Sequence, residues 1–210
     1  MSGFAHFFHD EFGFNVLMPD ARGHGASEGT YIGFGWPERL DYLEWIDWAI
    51  NKNGHETQIA LFGISMGGAT VMMTSGENLP ENVKVAIEDC GYTSAYEELL
   101  YQFNRIFPGN NPSVIEKTSQ LTKKRVGYTF EEASAFNQVR KSKTPTLFIH
   151  GEADSFVPFE MVYKVHDACA SEKALYTVPD AGHSKSFDLN PDEYKRQVRT
   201  FMGKHMTIPG

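Results

Sequence analysis

Ile59-Ala60-Leu61-Phe62-Gly63-Ile64-Ser65-Met66-Gly67-Gly68-Ala69-Thr70 decides the fold. The apolar run up to Phe62 reads as a buried strand. Gly63-Ile64-Ser65-Met66-Gly67 is a GxSxG motif, and the small and apolar residues after it suit a helix. A strand that turns this sharply into a helix forces the serine into a strained backbone conformation, and Gly63 and Gly67 are expected to remove the side chains that would clash. The hydroxyl then stands above the end of the sheet, at a helix N-terminus whose free amides favour developing negative charge. GxSxG alone is a weak signal, and its strand and helix context gives it weight.

Serine is a poor nucleophile at neutral pH, so this reading requires a base and a carboxylate to orient it. Both occur downstream in order. After the apolar run Thr146-Leu147-Phe148-Ile149 comes His150-Gly151-Glu152-Ala153-Asp154, and after Ala174 to Val178 comes Pro179-Asp180-Ala181-Gly182-His183. Ser65, Asp154 and His183 each follow an expected strand, at the carboxyl ends where ligands bind in open α/β sheets. Asp89 also follows an expected strand and is a second candidate for the acid. His24 and His150 fall inside turn motifs, where imidazoles bond backbone. Cys90 and Cys169 show no base and read as small buried residues.

Outward from these motifs, short apolar runs alternate with longer amphipathic segments. The pattern predicts an α/β fold, a mostly parallel sheet with helices on both faces. Strands are expected at Asn15 to Met18, Gln58 to Phe62, Val83 to Glu88, Thr146 to Ile149 and Ala174 to Val178. Pro37 to Asn51 reads as a helix that Pro37 begins and Gly54 ends, with Leu40, Leu43, Ile46, Trp48 and Ile50 on its apolar side. Further helices are expected near the start, carrying Phe4, Phe7 and Phe8, after Ser65, over Pro158 to Ala170, and from Pro191 to about Met202. Between Tyr92 and Thr144 the alternation stops. Residues 92–144, rich in Tyr and Phe and carrying Lys123-Lys124-Arg125, are expected to form a small helical cap insertion, with 1–91 and 145–210 as the core.

The chain has 210 residues with 19 Lys+Arg against 27 Asp+Glu, a formal net charge of -8. That balance disfavours nucleic acid and anionic membrane surfaces. No apolar run approaches the roughly 20 residues of a membrane helix, and no signal peptide is legible, so a cytoplasmic location is expected. With 2 Cys, no CxxC and no metal-ligand spacing, neither a disulfide framework nor a metal site is expected. Gly23-His24-Gly25 is too short for GxGxxG, and no cofactor is implied.

Four motifs together carry a family resemblance: the elbow Gly63 to Gly67, the turn Asp20-Ala21-Arg22-Gly23-His24-Gly25, the acid loop Ile149 to Asp154, and the base loop Ala181-Gly182-His183. On these the chain resembles the α/β-hydrolase superfamily, in its serine-esterase and acylaminoacyl-peptidase-like branch. The resemblance implies Ser65 as nucleophile, His183 as general base and then acid, Asp154 as its carboxylate, and the Met66 amide as an oxyanion donor. A serine-dependent hydrolase of a small acyl ester or thioester, working through an acyl-enzyme, is the activity it implies.

The resemblance also exposes a departure. Family members have several strands before the segment matching Asn15 to Asp20, one ending in a loop that supplies a second oxyanion donor, and this chain starts at the helix after that loop. An amino-terminally truncated sheet is expected, open between Asn15 to Met18 and Gln58 to Phe62, unless those strands pair directly or another chain fills the gap. Apolar edges there favour self-association into a homo-oligomer. Loss of one oxyanion donor costs about a hundred- to thousand-fold in turnover. The alternative reading is therefore a catalytically impaired or non-catalytic binding module of the same fold.

Overall fold

The computed structural model describes residues 2–209. Four parallel strands form one sheet in the order β1 (Ile59–Ile64), β2 (Val83–Asp89), β3 (Thr146–Gly151) and β4 (Lys173–Val178). Each matches an expected run to within two residues at either end. The central strands are almost entirely buried, as a parallel sheet covered on both faces requires.

Side-chain alternation sorts the sheet into two layers. Val85, Ile87, Leu147, Ile149, Tyr176 and Val178 meet Phe7, Phe8 and Phe12 of α1 (Ser2–Phe12) and Tyr194, Val198 and Phe201 of α9 (Pro191–Met202). On the other face Phe148 and Leu175 meet Met72 and Met73 of α3 (Met66–Ser75) and Met161, Val162 and Val165 of α7 (Glu160–Ala168). There α2 (Glu38–Asn53) also covers Leu61, Val83 and Ala86 with Ile46 and Ile50. Each such large apolar side chain contributes about 1.5–3 kcal/mol when fully buried. Gly54 ends α2 with φ 100°, as expected, but Leu40 and Trp48 face solvent, so the buried stripe of α2 is narrower than its composition suggests.

The expected strand Asn15 to Met18 is not one. The segment is irregular and exposed, and Val16, Leu17 and Met18 keep 39%, 45% and 50% of their surface. Among the described residues β1 is an edge strand, and it does not pair with this segment. A strand exists through its neighbour's hydrogen bonds, and apolar composition without a ladder leaves only extended chain.

Residues 92–144 carry α4 (Ala95–Ile106), α5 (Ser113–Val126) and α6 (Ala135–Val139), with no strand longer than the single bridge Ser94 to Ser134. Ser94 and Ser134 cap α4 and α6 by accepting from the amides of Glu97 and Asn137, the arrangement that satisfies free helix-start donors. Tyr92, Tyr128 and Phe130 are buried in the α3-side core, and the two hydroxyls donate to the carbonyls of Phe34 and Gly33. The basic run closes α5, where cations complement the helix dipole, and Lys123 pairs with Glu132 at 2.7 Å. A short helix, α8 (Ser186–Leu189), follows the base loop without having been expected. No helix among the described residues is long and apolar enough to cross a membrane.

Candidate active site

Ser65 stands between β1 and α3 at φ 57°, ψ -119°, a conformation that L side chains rarely adopt and that costs on the order of 1–3 kcal/mol. Its neighbours hold it there. Its amide donates to the carbonyl of Asp89 at 2.7 Å, and its own carbonyl accepts from Ala69 at 2.9 Å. A Cβ on Gly63 would lie 2.2 Å from the carbonyl oxygen of Gly67, so only glycine fits at that point of the turn. At Gly67 a Cβ would meet nothing within 4 Å. The expected steric need is thus real for the first glycine of the motif and absent for the second.

Asp154 lies on the β3–α7 loop and His183 on the β4–α8 loop. Gly151 lets these loops touch, because a Cβ there would lie 2.2 Å from the carbonyl oxygen of Ala181, and the amide of Ala153 donates to that same oxygen at 3.0 Å. The three expected residues come together. His183 Nε2 is 2.8 Å from Ser65 Oγ, and His183 Nδ1 is 2.7 Å from Asp154 Oδ2. A carboxylate only accepts, so Nδ1 carries the proton and Nε2 is left to accept from the serine hydroxyl. Met66 is the first residue of α3, and its amide is one of the four at a helix start that have no partner inside the helix.

Asp154 is buried, and burial alone would raise its carboxyl. Hydrogen bonds from His150, His183 and the Phe156 amide, with the charge of His183, outweigh that and hold it well below the usual carboxylate range. Its Oδ1 accepts from the amides of Phe156 at 2.8 Å and Val157 at 3.0 Å. It therefore stays ionised beside the imidazole.

Asp89 is not brought to His183. It is buried, accepting from Ser186 Oγ at 3.3 Å and Tyr194 Oη at 3.0 Å. Burial pushes its carboxyl up to about 6.

Three further residues adjoin the group. His150, fully buried on β3, places Nε2 3.1 Å from the carbonyl of Val157 and 3.3 Å from Asp154 Oδ2. Both neighbours accept, so that nitrogen carries the proton. Phe156 tilts its ring against His183 with centroids 4.8 Å apart. Cys90 follows β2 at φ 49°, fully buried, with Sγ 3.4 Å from Ser184 Oγ. Its donor atom and those of Asp154 and His183 lie within 4.8 Å of one another. Burial, then the charge of Asp89, pushes the thiol far up. A protonated thiol and an imidazole already engaged with its carboxylate make a poor ligand set for a metal at neutral pH. His150 bonds a backbone carbonyl and Cys90 is buried, as expected of each, whereas Phe156 carried no expectation, and the nearness of all three to the group is not written in the sequence. His24 behaves as expected, with Nδ1 3.0 Å from the carbonyl of Arg22.

A parallel sheet with helices on both faces, a serine on the strand-to-helix turn, and a histidine and a carboxylate after later strands define an α/β hydrolase. The family model for the prolyl oligopeptidase family matches residues 4–208, and the chain belongs to that family. It is 28% identical to YqkD of Bacillus subtilis over 199 residues, 95% of this chain and 65% of that protein. It is 30% identical to YfhR of Escherichia coli K12 over 197 residues, 90% of this chain and 60% of the other. The chain thus spans less than two thirds of the length of these curated relatives. Among solved structures it is similar in fold to the Pyrococcus furiosus esterase Pf2001, with TM-score 0.74 and 22% identity, covering 95% of this chain and 74% of that one.

Proposed function

We propose that this chain is a serine hydrolase that cleaves a carboxylic ester or thioester through an acyl-enzyme on Ser65. The observation that carries the reading is the continuous pair of hydrogen bonds from Ser65 Oγ to His183 Nε2, 2.8 Å, and from His183 Nδ1 to Asp154 Oδ2, 2.7 Å.

In this mechanism Ser65 Oγ attacks the substrate carbonyl carbon while His183 Nε2 takes the hydroxyl proton. The carbonyl oxygen becomes an oxyanion, which the Met66 amide and the start of α3 stabilise. Asp154 holds the imidazolium in place. Collapse breaks the bond to the leaving alcohol or thiol, which receives the proton from His183. Water, losing its proton to His183, then attacks the acyl carbon, and Ser65 leaves with that proton restored. The helices between β2 and β3 act as a cap. Phe156, exposed and with its ring against His183, suits an apolar acyl or aryl group, and the esterase activity for which Pf2001 is named agrees with this choice of substrate class.

The test is intact-mass detection of a fluorophosphonate adduct. Wild-type chain is expected to take one adduct and Ser65→Ala none. A folded wild-type chain that takes no adduct would overturn the reading in favour of a non-catalytic binding module.

A further inference from the structure

We propose that Gln102 of α4 is a positioning residue, which holds the loop bearing Asp154 against His183 through the carbonyl of Phe156. This rests on the reading of Ser65, His183 and Asp154 as a catalytic unit. The carboxylate of Asp154 is aimed by the amides of Phe156 and Val157, so its direction is only as fixed as the backbone of that loop. Glu152, Ala153, Ser155 and Phe156 are all exposed, and a loop this exposed does not fix itself by burial.

The fixing comes from α4. Gln102 Nε2 donates to the carbonyl of Phe156 at 2.6 Å, and Tyr101 Oη donates to that of Ser155 at 3.1 Å. Arg105 lies over the Phe156 ring, 5.7 Å from its centroid, while the same ring meets His183 at 4.8 Å. Residue 156 is thus tied three ways: its amide to Asp154, its carbonyl to Gln102 and its ring to His183.

The Gln102 amide is itself oriented. Its second Nε2 proton goes to Glu98 Oε1 at 2.8 Å, one helical turn earlier. A carboxylate only accepts, so the nitrogen must face it and cannot be exchanged with the oxygen. Glu98 is 7% exposed, and its other carboxylate oxygen is buried without a partner among the described residues. Burial pushes this carboxyl up, and the hydrogen bond from Gln102 and the charge of His183 draw it back. A half-satisfied buried carboxyl is a poor stabilising device. As an anchor for the Gln102 amide its place on α4 has a reason.

The test compares second-order rates of fluorophosphonate labelling and the deshielded proton NMR signal of His183 Nδ1–H across variants. Gln102→Met keeps length and volume but removes both donors. It is expected to slow labelling roughly tenfold and to move or broaden the proton signal. Glu98→Leu is expected to do the same, whereas Glu98→Gln, which still accepts from Gln102, should stay within about twofold of wild type. Tyr101→Phe, a change at the surface without folding risk, should slow labelling by a smaller factor. A lowered melting temperature in Gln102→Met with unchanged rate and unchanged signal would overturn the proposal. Should wild type not label, the Ser65 reading falls. The proton signal then decides alone, a shift in Gln102→Met supporting the positioning role and no shift overturning it.

Discussion

The amide of Ser65 donates to the carbonyl of Asp89 across 2.7 Å, which ties the strained serine to the end of the neighbouring strand. The same step recurs across the sheet. Cys90 donates to Ile149 at 2.8 Å, and Glu152 donates to Val178 at 2.9 Å. The turns that follow β1, β2 and β3 are therefore each bonded to the neighbouring strand as extensions of the parallel ladder, and the geometry of the site is inherited from strand register.

The elbow gives a paired prediction. Gly63→Ala forces a Cβ into the backbone of Gly67, so it should destabilise the chain by about 1–3 kcal/mol and abolish labelling of Ser65. Gly67→Ala places its methyl in open space inside a helix. It should raise stability by about 0.5–1 kcal/mol with labelling retained. Urea denaturation beside labelling of the two variants checks this, and equal losses in both would show that the turn does not have this geometry.

The acid role separates two buried carboxylates. Asp154→Asn removes the acceptor that fixes the proton on His183 Nδ1, and ester turnover should fall by about 10³–10⁴-fold. Asp89→Asn, which touches Ser186 and Tyr194 instead, should leave turnover within a fewfold of wild type. The reverse ranking in steady-state kinetics would move the acid role to Asp89.

All four strands of the sheet are legible because parallel strands covered by helices are written as short apolar runs, and α9 is legible because Pro191 starts it and its apolar face repeats on a helical period. Asn15 to Met18 misled because composition reports burial tendency and carries no information about whether a partner ladder exists. At the site, Ser65, Asp154 and His183 are legible because each follows a strand. The nearness of His150, Phe156 and Cys90 is not, because it is made by the pairing of Asp89 with Ile149, by a loop folding back on its own strand, and by side-chain directions that no spacing encodes. The link from Gln102 to Phe156 spans 54 residues, beyond any local pattern.

Asp89 makes stability depend on pH. Its carboxyl is raised to about 6 from an ordinary 3.8, burial being the cause. Between those values the unfolded chain ionises and the folded chain resists. Stability is therefore lost as pH rises from about 4 through 6, by on the order of 3 kcal/mol in total. Asp89→Asn removes this loss, so its stability relative to wild type should be more favourable at pH 8 than at pH 4. Urea midpoints across that range check it, and a difference that does not change with pH would show that Asp89 ionises freely in the folded chain.

His150 supplies the last prediction. Its ring is fully buried, and its Nε2–H is shared by the carbonyl of Val157 and Asp154 Oδ2. His150→Phe keeps the ring and its edge contact with Phe159 but leaves both oxygens one donor short. The cost should be about 1–3 kcal/mol at neutral pH. Asp154 is also held down in part by this donor. A depressed carboxylate contributes stability above its unfolded value, and that contribution is lost as pH falls through the folded one. Without His150 the folded value rises toward the ordinary range, so the acid-induced loss, which starts at the unfolded value in both proteins, should be smaller in the variant, and the stability gap between variant and wild type should narrow as pH falls. Urea midpoints measured from pH 7 downward test this together with the labelling rate of Ser65, which should drop as Asp154 loses its alignment. Parallel acid curves with an unchanged labelling rate would show that His150 serves only to fill space beneath the loop.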